Sequence, residues 1–474
     1  MFNDHENLKT NDMKQVLFLT SISFLLLISC NNHAEQTEIQ KQAAANYANY
    51  CAGCHGDQLQ KFNKSAWMYG NDDTEIIKSI RDGREDIGMP AFGATFTDTE
   101  LKALARYVKT GIPADKSTLQ PAGGGIVESE VQKFFVDTIV SGLDVPWGLE
   151  FLPNGDLLIA DRSAKLYRFA NKQLQGISGL PEIMVKGQGG LLDLELHPDY
   201  ETNGWLYLAY SAYAKDNKTE GCTNIMRAKI EGNQLVSQEV IFNGSPDSDK
   251  GHHWGCKLEF DKNGYLFFGV GDRGSHFVNP QNLDNHCGKI HRINDDGSIP
   301  NDNPFVNTAG AMPTIYSYGH RNPQGTCMNP ETGEIWETEH GPRGGDELNI
   351  IQPGRNYGWP VICYGINYDG TVLTEMTAKE GMEQPVTYWV PSIAPCGMTF
   401  VKGDRYKNWK NNILVGSLRF MYLERIVLEG SKVTHQEKLL EGIGRVRNVE
   451  ISPDGFIYVA IEKPGKIVKL VPVN

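Results

Sequence analysis

A Cys-x-x-Cys-His segment supplies the first residues whose types and spacing could do chemistry. Cys51 and Cys54 are two residues apart, and His55 follows directly. One helical turn of this kind places two thiols where they can form thioether bonds with haem, and it places the histidine beneath the iron. Met89, in a Gly-Met-Pro loop, is the expected second iron ligand, and Met68 is the alternative. These residues predict a covalent c-type haem with histidine and methionine ligands.

Small helices must surround such a haem. The polar, alanine-rich segment from Glu38 to Tyr50 leads into the motif, and the segment from Thr99 to Lys109 carries apolar residues at helical spacing. A redox-active or zinc-binding cysteine pair is the alternative, but there is no second pair, and the adjacent histidine disfavours it. The segment 37–113 resembles class I cytochromes c, so we expect an all-α cytochrome c domain there.

A hairpin pattern recurs through the remaining chain. Each copy is an alternating apolar strand, a turn containing Pro, Gly, Asn or Asp, and a strongly apolar strand. Six copies begin near Trp147, Leu191, Lys257, Gly325, Met398 and Val449. At about 58 residues per copy, this pattern predicts an all-β six-bladed β-propeller rather than a β-helix or a two-sheet sandwich.

The domain boundaries follow from composition. An apolar run of thirteen residues, Val16 to Ile28, leads to Leu27-Ile28-Ser29-Cys30, which resembles a bacterial lipobox. We expect a signal peptide with lipobox at 1–30, the cytochrome c domain at 37–113, a Pro- and Gly-rich linker at 114–130 and the propeller at 131–474. An ordinary secretory signal is the alternative, and either one predicts an exported, periplasmic or cell-surface protein.

Charge and cysteine content limit the partners and the cross-links. The chain of 474 residues has a net charge of −13, which argues against a nucleic-acid partner and gives no polybasic membrane patch. Six further cysteines could form three disulfides in an exported chain, with Cys363–Cys396 the favoured pair; buried free thiols are the alternative. Their positions are 222, 256, 287, 327, 363 and 396.

Chemically unusual clusters lie between the strand pairs, where propeller loops converge. His252-His253 is one, and four arginines sit on separate copies or late in the chain. Guanidinium groups bind carboxylates in a fixed two-bonded geometry, so these arginines could converge on a polyanion. Pairing with nearby acidic residues on loop surfaces is the alternative. The arginines are Arg321, Arg419, Arg445 and Arg447.

The order of these motifs resembles the soluble glucose/sorbosone dehydrogenase family over 135–474. The matching segments are Gln-x-Gly-Leu-Leu from 188, Gly-Asp-x-Gly from 271, Gly-His-Arg-Asn-Pro-Gln-Gly from 319, Gly-Pro-x-x-Gly-Asp-Glu from 341, Asn-Tyr-Gly-Trp-Pro from 356 and Arg-x-Arg from 445. The resemblance implies a six-bladed propeller that carries pyrroloquinoline quinone (PQQ) and calcium.

The resemblance also assigns roles to residues. It implies that PQQ is contacted by Gln188, Arg321, Asn322, Arg419 and Arg445. It implies that the backbone carbonyls of Gly341 and Pro342 bind the calcium that also holds the quinone, and that Glu347 and Tyr357 form a second, structural calcium site. Oxygen donors of this kind are what calcium requires.

The implied reaction is oxidation of an aldose at its anomeric carbon. His253 matches the family's base, which takes the proton of the anomeric hydroxyl while hydride passes to the quinone, and Arg447 would steady the developing oxyanion. The electrons would pass to the haem and then to an electron-transfer protein or a respiratory chain. His252, His340 and Val390 depart from the glucose enzyme, so the sugar is not implied. A non-catalytic propeller that binds glycan or protein is the alternative, and a calcium-dependent lactone hydrolase is disfavoured.

Overall fold

The computed structural model describes residues 39–51, 55, 59, 67, 69–84, 89–110 and 125–473. The predicted lipobox, with Cys30, and the predicted haem residues Cys54 and Met68 lie outside these ranges. Within them, none of the helices is both long enough and apolar enough to span a membrane.

Three helical segments form the N-terminal domain. Residues 39–46 are α-helical and continue into a π-helical turn, Tyr47–Cys51; α1 is Asp73–Asp82 and α2 is Asp98–Thr110. The first and last of these segments were predicted. The apolar stripe of α2 is buried as expected, at Leu101, Leu104, Ala105 and Val108. It packs with Ile76 and Ile80 of α1 into one core.

The rest of the chain forms six antiparallel sheets, which confirms the predicted propeller. Blade 1 contains β3 (Pro146–Phe151), β4 (Leu157–Asp161), β5 (Lys165–Ala170) and β6 (Gln173–Ile177). Blade 2 contains β7 (Leu191–Leu196), β8 (Leu206–Tyr213), β9 (Gly221–Glu231) and β10 (Gln234–Asn243), with the short helix α3 (Tyr200–Asn203) between its first two strands. Blade 3 contains β11 (Leu258–Phe260), β12 (Leu266–Val270), β13 (Lys289–Ile293) and β14 (Ile315–Tyr318).

The three remaining blades complete the ring. Blade 4 contains β15 (Pro323–Met328), β16 (Ile335–Glu339), β17 (Asp346–Ile351) and β18 (Thr387–Trp389). Blade 5 contains β19 (Pro395–Phe400), β20 (Ile413–Ser417), β21 (Tyr422–Glu429) and β22 (Lys432–Leu439), with a 3-10 turn at Lys407–Trp409. Blade 6 contains β23 (Val446–Ile451), β24 (Ile457–Ile461) and β25 (Lys466–Val473).

Blade 6 is closed by the N-terminal end of the propeller. Strand β2 (Lys133–Ser141) pairs with β25, and β1 (Ile126–Glu128) pairs with β2. The last strand of the chain is therefore held by the first long one. Strand β1 lies inside the segment predicted as linker, where its three residues give too short an apolar alternation to be distinguished from the glycine run before it.

The innermost strands β3, β7, β11, β15, β19 and β23 contact one another in a closed ring. All six correspond to the openings of the six predicted copies. Because the six strands run in one direction along the channel, the loops before them meet at one face. The predicted sugar-site residues that lie just before an inner strand are therefore all at that face.

A ring of glutamates lines the opposite end of the channel. Glu150, Glu195, Glu259 and Glu450 each lie one position before the end of an inner strand, and they surround a cavity of about 160 Å³. Lys257 also lines this cavity, and its Nζ lies 3.1 Å from Asp193 Oδ2. Burial, and then the charge of Glu450, raise the pKa of Glu150 to about 8.

Replacing Glu150 by glutamine is expected to stabilise the protein at pH 8 but not at pH 4.5. A carboxyl whose folded pKa is raised contributes stability that is present below its unfolded pKa, near 4.5, and is lost as pH rises through the folded value. Glutamine removes that loss, which we expect to be on the order of 2 kcal/mol at pH 8. Thermal unfolding of both proteins at the two pH values measures it, and an equal shift of the melting temperature at both would contradict it.

The cysteines do not form the predicted disulfides. Cys363 and Cys396 are both free thiols, so the favoured pair is wrong, and Cys222, Cys256, Cys287 and Cys327 are also unpaired. The sulfur atoms of Cys222 and Cys287 are 4.0 Å apart, which is contact rather than a bond. Cys222 and Cys287 pack in the core between blades 2 and 3, where a small apolar side chain is what the packing requires.

Candidate active site

His253 and Asp272 form a pair at the channel mouth in which the carboxylate is buried and the imidazole is half-buried. His253 Nδ1 lies 2.6 Å from Asp272 Oδ1, and the other carboxylate oxygen accepts a hydrogen bond from Trp359 Nε1 at 2.9 Å. His253 comes from the loop before β11, and Asp272 follows β12. Because Asp272 is bonded to Nδ1, Nε2 is the nitrogen of His253 that is available to a substrate.

The electrostatics of this pair suit a proton acceptor. Burial, and then the charge of Arg321, lower the pKa of His253, while Asp272 opposes them. Burial would raise the pKa of Asp272, but His253 and Arg321 lower it well below its usual value. At neutral pH the imidazole is therefore uncharged and the carboxylate is ionised, which is the state that can receive a proton.

The loop of His253 is held in an uncommon backbone conformation. His253 has a φ of 56°, and its N–H donates to Gln188 Oε1 at 2.9 Å. The neighbouring strand approaches so closely that a Cβ on Gly271 would lie 2.3 Å from the His253 carbonyl oxygen. Below the loop, the Arg273 guanidinium lies 3.3 Å from the Trp254 ring and donates to the His252 carbonyl. These contacts fix the imidazole position before any ligand binds.

Arg321 and Asn322 lie directly before β15, beside this pair. The Arg321 Nη1 donates to the His340 carbonyl at 3.0 Å, whereas its Nε is buried without a hydrogen-bond partner in the described structure. Asn322 Oδ1 accepts from Gly255 N at 3.2 Å. The side-chain oxygen of Asn322 therefore fixes the His253 loop, and Arg321 keeps an unsatisfied donor for a ligand.

Glu462 is the centre of an arginine cluster on blade 6. Its carboxylate accepts from Arg445 Nε at 2.9 Å and from Arg447 Nε at 2.7 Å. The charge of Arg162 also acts on it, and the three arginines together lower the pKa of Glu462 well below its usual value although burial opposes them. Three positively charged arginines thus surround one buried carboxylate. The net positive charge that remains favours the binding of a polyanion.

Arg419 stands apart from this cluster. Its Nη1 donates to the Ser392 carbonyl at 3.3 Å, and its Nη2 donates to the carbonyl of Ala48, in the N-terminal domain, at 3.2 Å. Its Nε is buried without a partner in the described part of the chain. The predicted cofactor contact is therefore accompanied by a contact between the two domains.

The Gly341-Pro342 corner is fixed by Asp346. Gly341 N donates to Asp346 Oδ1 at 2.8 Å, and the hydroxyl of Ser392 bridges the same oxygen and the Pro342 carbonyl at 2.9 and 3.2 Å. A Cβ at position 341 would lie 2.2 Å from the Gly345 carbonyl oxygen, so only glycine fits. The corner is pre-formed, with its carbonyl oxygens available as candidate cation ligands.

Three carboxylates lie behind that corner: Glu337 and Glu339 are buried, and Glu347 is half-buried. The Nδ2 of Asn349 is 3.3 Å from an oxygen of each of Glu337, Glu339 and Glu347. Burial, and then Glu339, raise the pKa of both Glu337 and Glu347 well above the usual value. His320, Glu337 and Glu339 also hold ligand atoms within 4.8 Å of one another. A divalent cation would offset the mutual repulsion of these carboxylates in their ionised form.

Tyr357 can take part only through its backbone. Its hydroxyl donates to the Ile350 carbonyl at 2.5 Å and accepts from Gln352 N at 2.9 Å. The ring stacks on His320, with centroids 4.6 Å apart. Since the hydroxyl is bonded, the carbonyl oxygen of Tyr357 is the candidate ligand beside Glu347.

Two of the described haem residues pack against the core of the N-terminal domain. Cys51 ends the π-helical turn, and both it and Met89 pack against the cluster formed by α1 and α2. Met89 also pairs with Arg84 through two backbone hydrogen bonds of 2.7 and 2.9 Å. His55 lies four residues beyond Cys51 and is described, whereas Cys54 is not.

Several site residues were not assigned from the sequence. Asp272 lies inside the quoted Gly-Asp-x-Gly motif, so its motif was the available signal. Glu337 and Glu339 lie two residues apart, on one face of the fully buried strand β16, and charged residues in a buried strand indicate a polar function. Arg162 and Glu462 each follow the second strand of a blade, and no local pattern distinguishes them.

A six-bladed propeller whose mouth joins a histidine–aspartate pair, buried arginines and a carbonyl corner defines the class of quinoprotein sugar dehydrogenases. The chain belongs to the glucose/sorbosone dehydrogenase family, whose sequence model matches residues 143–469. A second model, that of subunit III of cbb3-type cytochrome c oxidase, matches residues 39–108 and identifies the N-terminal unit as a cytochrome c domain.

Relatives of known name agree with this membership. Aldose sugar dehydrogenase YliI of Escherichia coli is 40% identical over 346 residues, which are 72% of this chain and 93% of that protein. The crystal structure of the E. coli aldose sugar dehydrogenase in its apo form has a TM-score of 0.69, with 38% identity, and covers 72% of this chain and all of its own. The PQQ-bound aldose sugar dehydrogenase of Streptomyces coelicolor has a TM-score of 0.59 at 28% identity, and covers 72% of this chain and 99% of its own.

Proposed function

We propose that the chain oxidises an aldose-type sugar to its lactone with PQQ and calcium and passes the electrons to its own covalent haem. The observation that carries the proposal is the buried arginine excess around Glu462, together with the His253–Asp272 pair; the charges of Arg447 and of His253 both act on His340. PQQ has three carboxylates, which these arginines can pair. The unpartnered Nε atoms of Arg321 and Arg419 offer it further donors.

Each residue has a proposed task. Gln188, Arg321, Asn322, Arg419 and Arg445 hold the cofactor, and the carbonyls of Gly341 and Pro342 hold a calcium beside it. Bound PQQ supplies a two-electron acceptor for hydride. Glu347 and Tyr357 hold a second calcium, supported by the raised pKa of Glu347 among buried carboxylates. In the haem domain, Cys51 and Cys54 carry the thioether bonds, and His55 and Met89 bind the iron.

In the proposed reaction, His253 Nε2 takes the proton of the anomeric hydroxyl as the hydride leaves carbon 1. Asp272 stabilises the imidazolium that results, because it accepts the hydrogen bond from Nδ1. Arg447 would supply positive charge beside the bound cofactor, since its position is already fixed by Glu462 and by Gln324 Oε1 at 2.9 Å. The His253–Asp272 pair thus moves one proton while the arginines bear charge.

The proposed location is outside the cytoplasm, with the domains at 37–113 and 131–474 joined by 114–130. A signal peptide and a lipid anchor at Cys30 would tether the protein. The sugar and an external one-electron acceptor would be its partners. Haem attachment by two cysteines suits an exported chain.

The test is haem reduction by sugar. The full chain with its haem is incubated with PQQ and calcium, mixed with a series of aldoses, and followed through the absorption bands of reduced haem. We expect the haem to be reduced only when both PQQ and calcium are present. Chelation of calcium should therefore prevent the reduction. No reduction by any aldose, of the haem or of an added dye, would contradict the proposal and favour a propeller that binds glycan or protein.

A further inference from the structure

The N-terminal domain rests on the same face of the propeller that carries the sugar site. The contacts join the end of the helical segment 39–51 and the turn before α2 to the loops that follow Gly341-Pro342 and β17. Arg343 lies over the ring of Tyr50, 4.1 Å from its centroid, and Thr95 Oγ1 donates to the Asp369 carbonyl at 3.2 Å. Tyr50 directly precedes Cys51, so this contact is next to the haem attachment.

Tyr368 lies between the two sites. Its side chain packs against the hydrophobic core of the cytochrome c domain, together with Tyr50, Cys51 and Met89. It also lies close enough to Arg321 to act on its charge: burial opposes the charge, but Tyr368 and then Asp272 raise the pKa of the Arg321 guanidinium. One aromatic side chain of the propeller therefore packs on the core of the haem domain and lies within electrostatic range of Arg321.

The chemical character of the contact surface indicates how it holds. Two contacts made by charged side chains join the domains, the Arg343–Tyr50 contact and the Arg419–Ala48 hydrogen bond. A planar guanidinium over an aromatic ring depends on stacking as well as on charge. Arginine is therefore the specific requirement, and lysine is an incomplete substitute.

We propose that Arg343 and Tyr368 form the docking contact that brings the haem domain to the sugar site, and that electrons cross to the haem there. This inference rests on the proposed function. Oxidation of one sugar releases two electrons and two protons; the ferric haem takes one electron, passes it to an external one-electron acceptor, and then takes the second. The protons leave to water, the first of them through His253. Arg343 and Tyr368 are positioning residues and do not touch the sugar.

The experiment separates sugar oxidation from haem reduction in the full chain. Arg343→Ala, Arg343→Lys and Tyr368→Leu are loaded with PQQ and calcium and mixed with an aldose that reduces wild type. Haem reduction is followed by stopped flow, and reduction of a soluble dye that bypasses the haem is measured in parallel. Exposed residues outside the contact provide matched controls, Arg355→Ala and Tyr388→Leu.

Slowing of haem reduction by up to about tenfold is expected for Arg343→Ala, because loss of a guanidinium–aromatic contact of about 1.4 kcal/mol lowers the docking equilibrium constant tenfold. Arg343→Lys should lie between Arg343→Ala and wild type. Dye reduction by Arg343→Ala should stay within about twofold of wild type. The controls should match wild type in both assays.

Hydrogen exchange gives a readout that needs no turnover. In the unloaded protein, the backbone amides of residues 39–51 should exchange faster in Arg343→Ala and in Tyr368→Leu than in either control. Wild-type rates of haem reduction in both variants, or equal loss of dye and haem reduction in Arg343→Ala, would overturn the docking proposal. Failure of wild type to reduce even the dye would instead overturn the proposed function.

Discussion

Replacing His253 by glutamine is expected to lower the rate of sugar oxidation by roughly 10²- to 10⁴-fold, the usual contribution of a general base. Glutamine cannot take the anomeric proton at neutral pH, whereas the backbone bond from residue 253 to Gln188 does not depend on the imidazole. Binding of PQQ, titrated by quenching of tryptophan fluorescence, should change little. Dye reduction at saturating sugar measures the loss.

The left-handed backbone at position 253 requires a second variant. Asparagine adopts a positive φ more readily than glutamine, so His253→Asn separates a lost base from a strained loop. Both variants should lose turnover alike, and His435→Gln, an exposed histidine on β22, should lose none. Full turnover by His253→Asn would show that another group takes the proton.

The pH profile should identify the same group. Because burial and then Arg321 lower the pKa of His253, the acid limb of kcat/KM should lie below pH 6.5. Asp272 raises that pKa, so Asp272→Asn should move the limb to still lower pH while reducing kcat. An unmoved limb in that variant would assign it to a different residue.

Replacing Glu462 by glutamine is expected to lower the free energy of unfolding of the protein without PQQ by about 3–5 kcal/mol, the usual cost of breaking a buried ion pair. The shape of the side chain is nearly kept, but Arg445 and Arg447 lose the carboxylate that both of them bind. Urea unfolding with and without PQQ measures the effect. PQQ should restore part of the loss, since its carboxylates take over the role of the missing charge.

Glu437→Gln is the matched control for this variant. Glu437 forms a buried pair with Arg425 at 2.7 Å on blade 5, away from the channel mouth. The Glu437→Gln variant should lose a similar free energy of unfolding, but PQQ should stabilise this variant only as much as it stabilises wild type. If PQQ raised the free energy of unfolding of the two variants equally, the proposed anion-binding site at Glu462 would be contradicted.

Much of the propeller was predictable because the signal is local. Each inner strand ends in a turn of Pro, Asn, Asp or Gly before a second apolar strand, so position and number followed from hairpin patterns alone. Helix α1 was missed because its apolar residues, Ile76, Ile77 and Ile80, are few among charged ones. Its start is fixed by Asp72, whose side chain accepts from Glu75 N at 3.0 Å.

The site was only partly predictable because its partners meet across the channel. His253 and the arginines stand in dense motifs, but a motif does not show which acid faces them. A bulge between Val446 and Asn448 shifts the β23–β24 register at Arg447, and no sequence pattern marks that shift. The disulfide prediction failed for a related reason: in a core, cysteine is also a small apolar residue.

Closure of blade 6 by β2 has a consequence for biosynthesis. The ring cannot shut until the final strand, β25, has left the ribosome, and Arg445, Arg447 and Glu462 are translated in the same last stretch. A polypeptide that lacked its last thirty residues would therefore lose β25, the strand that closes the ring, together with Arg445, Arg447 and Glu462. Binding of the proposed cofactor therefore depends on the same stretch of chain that closes the ring.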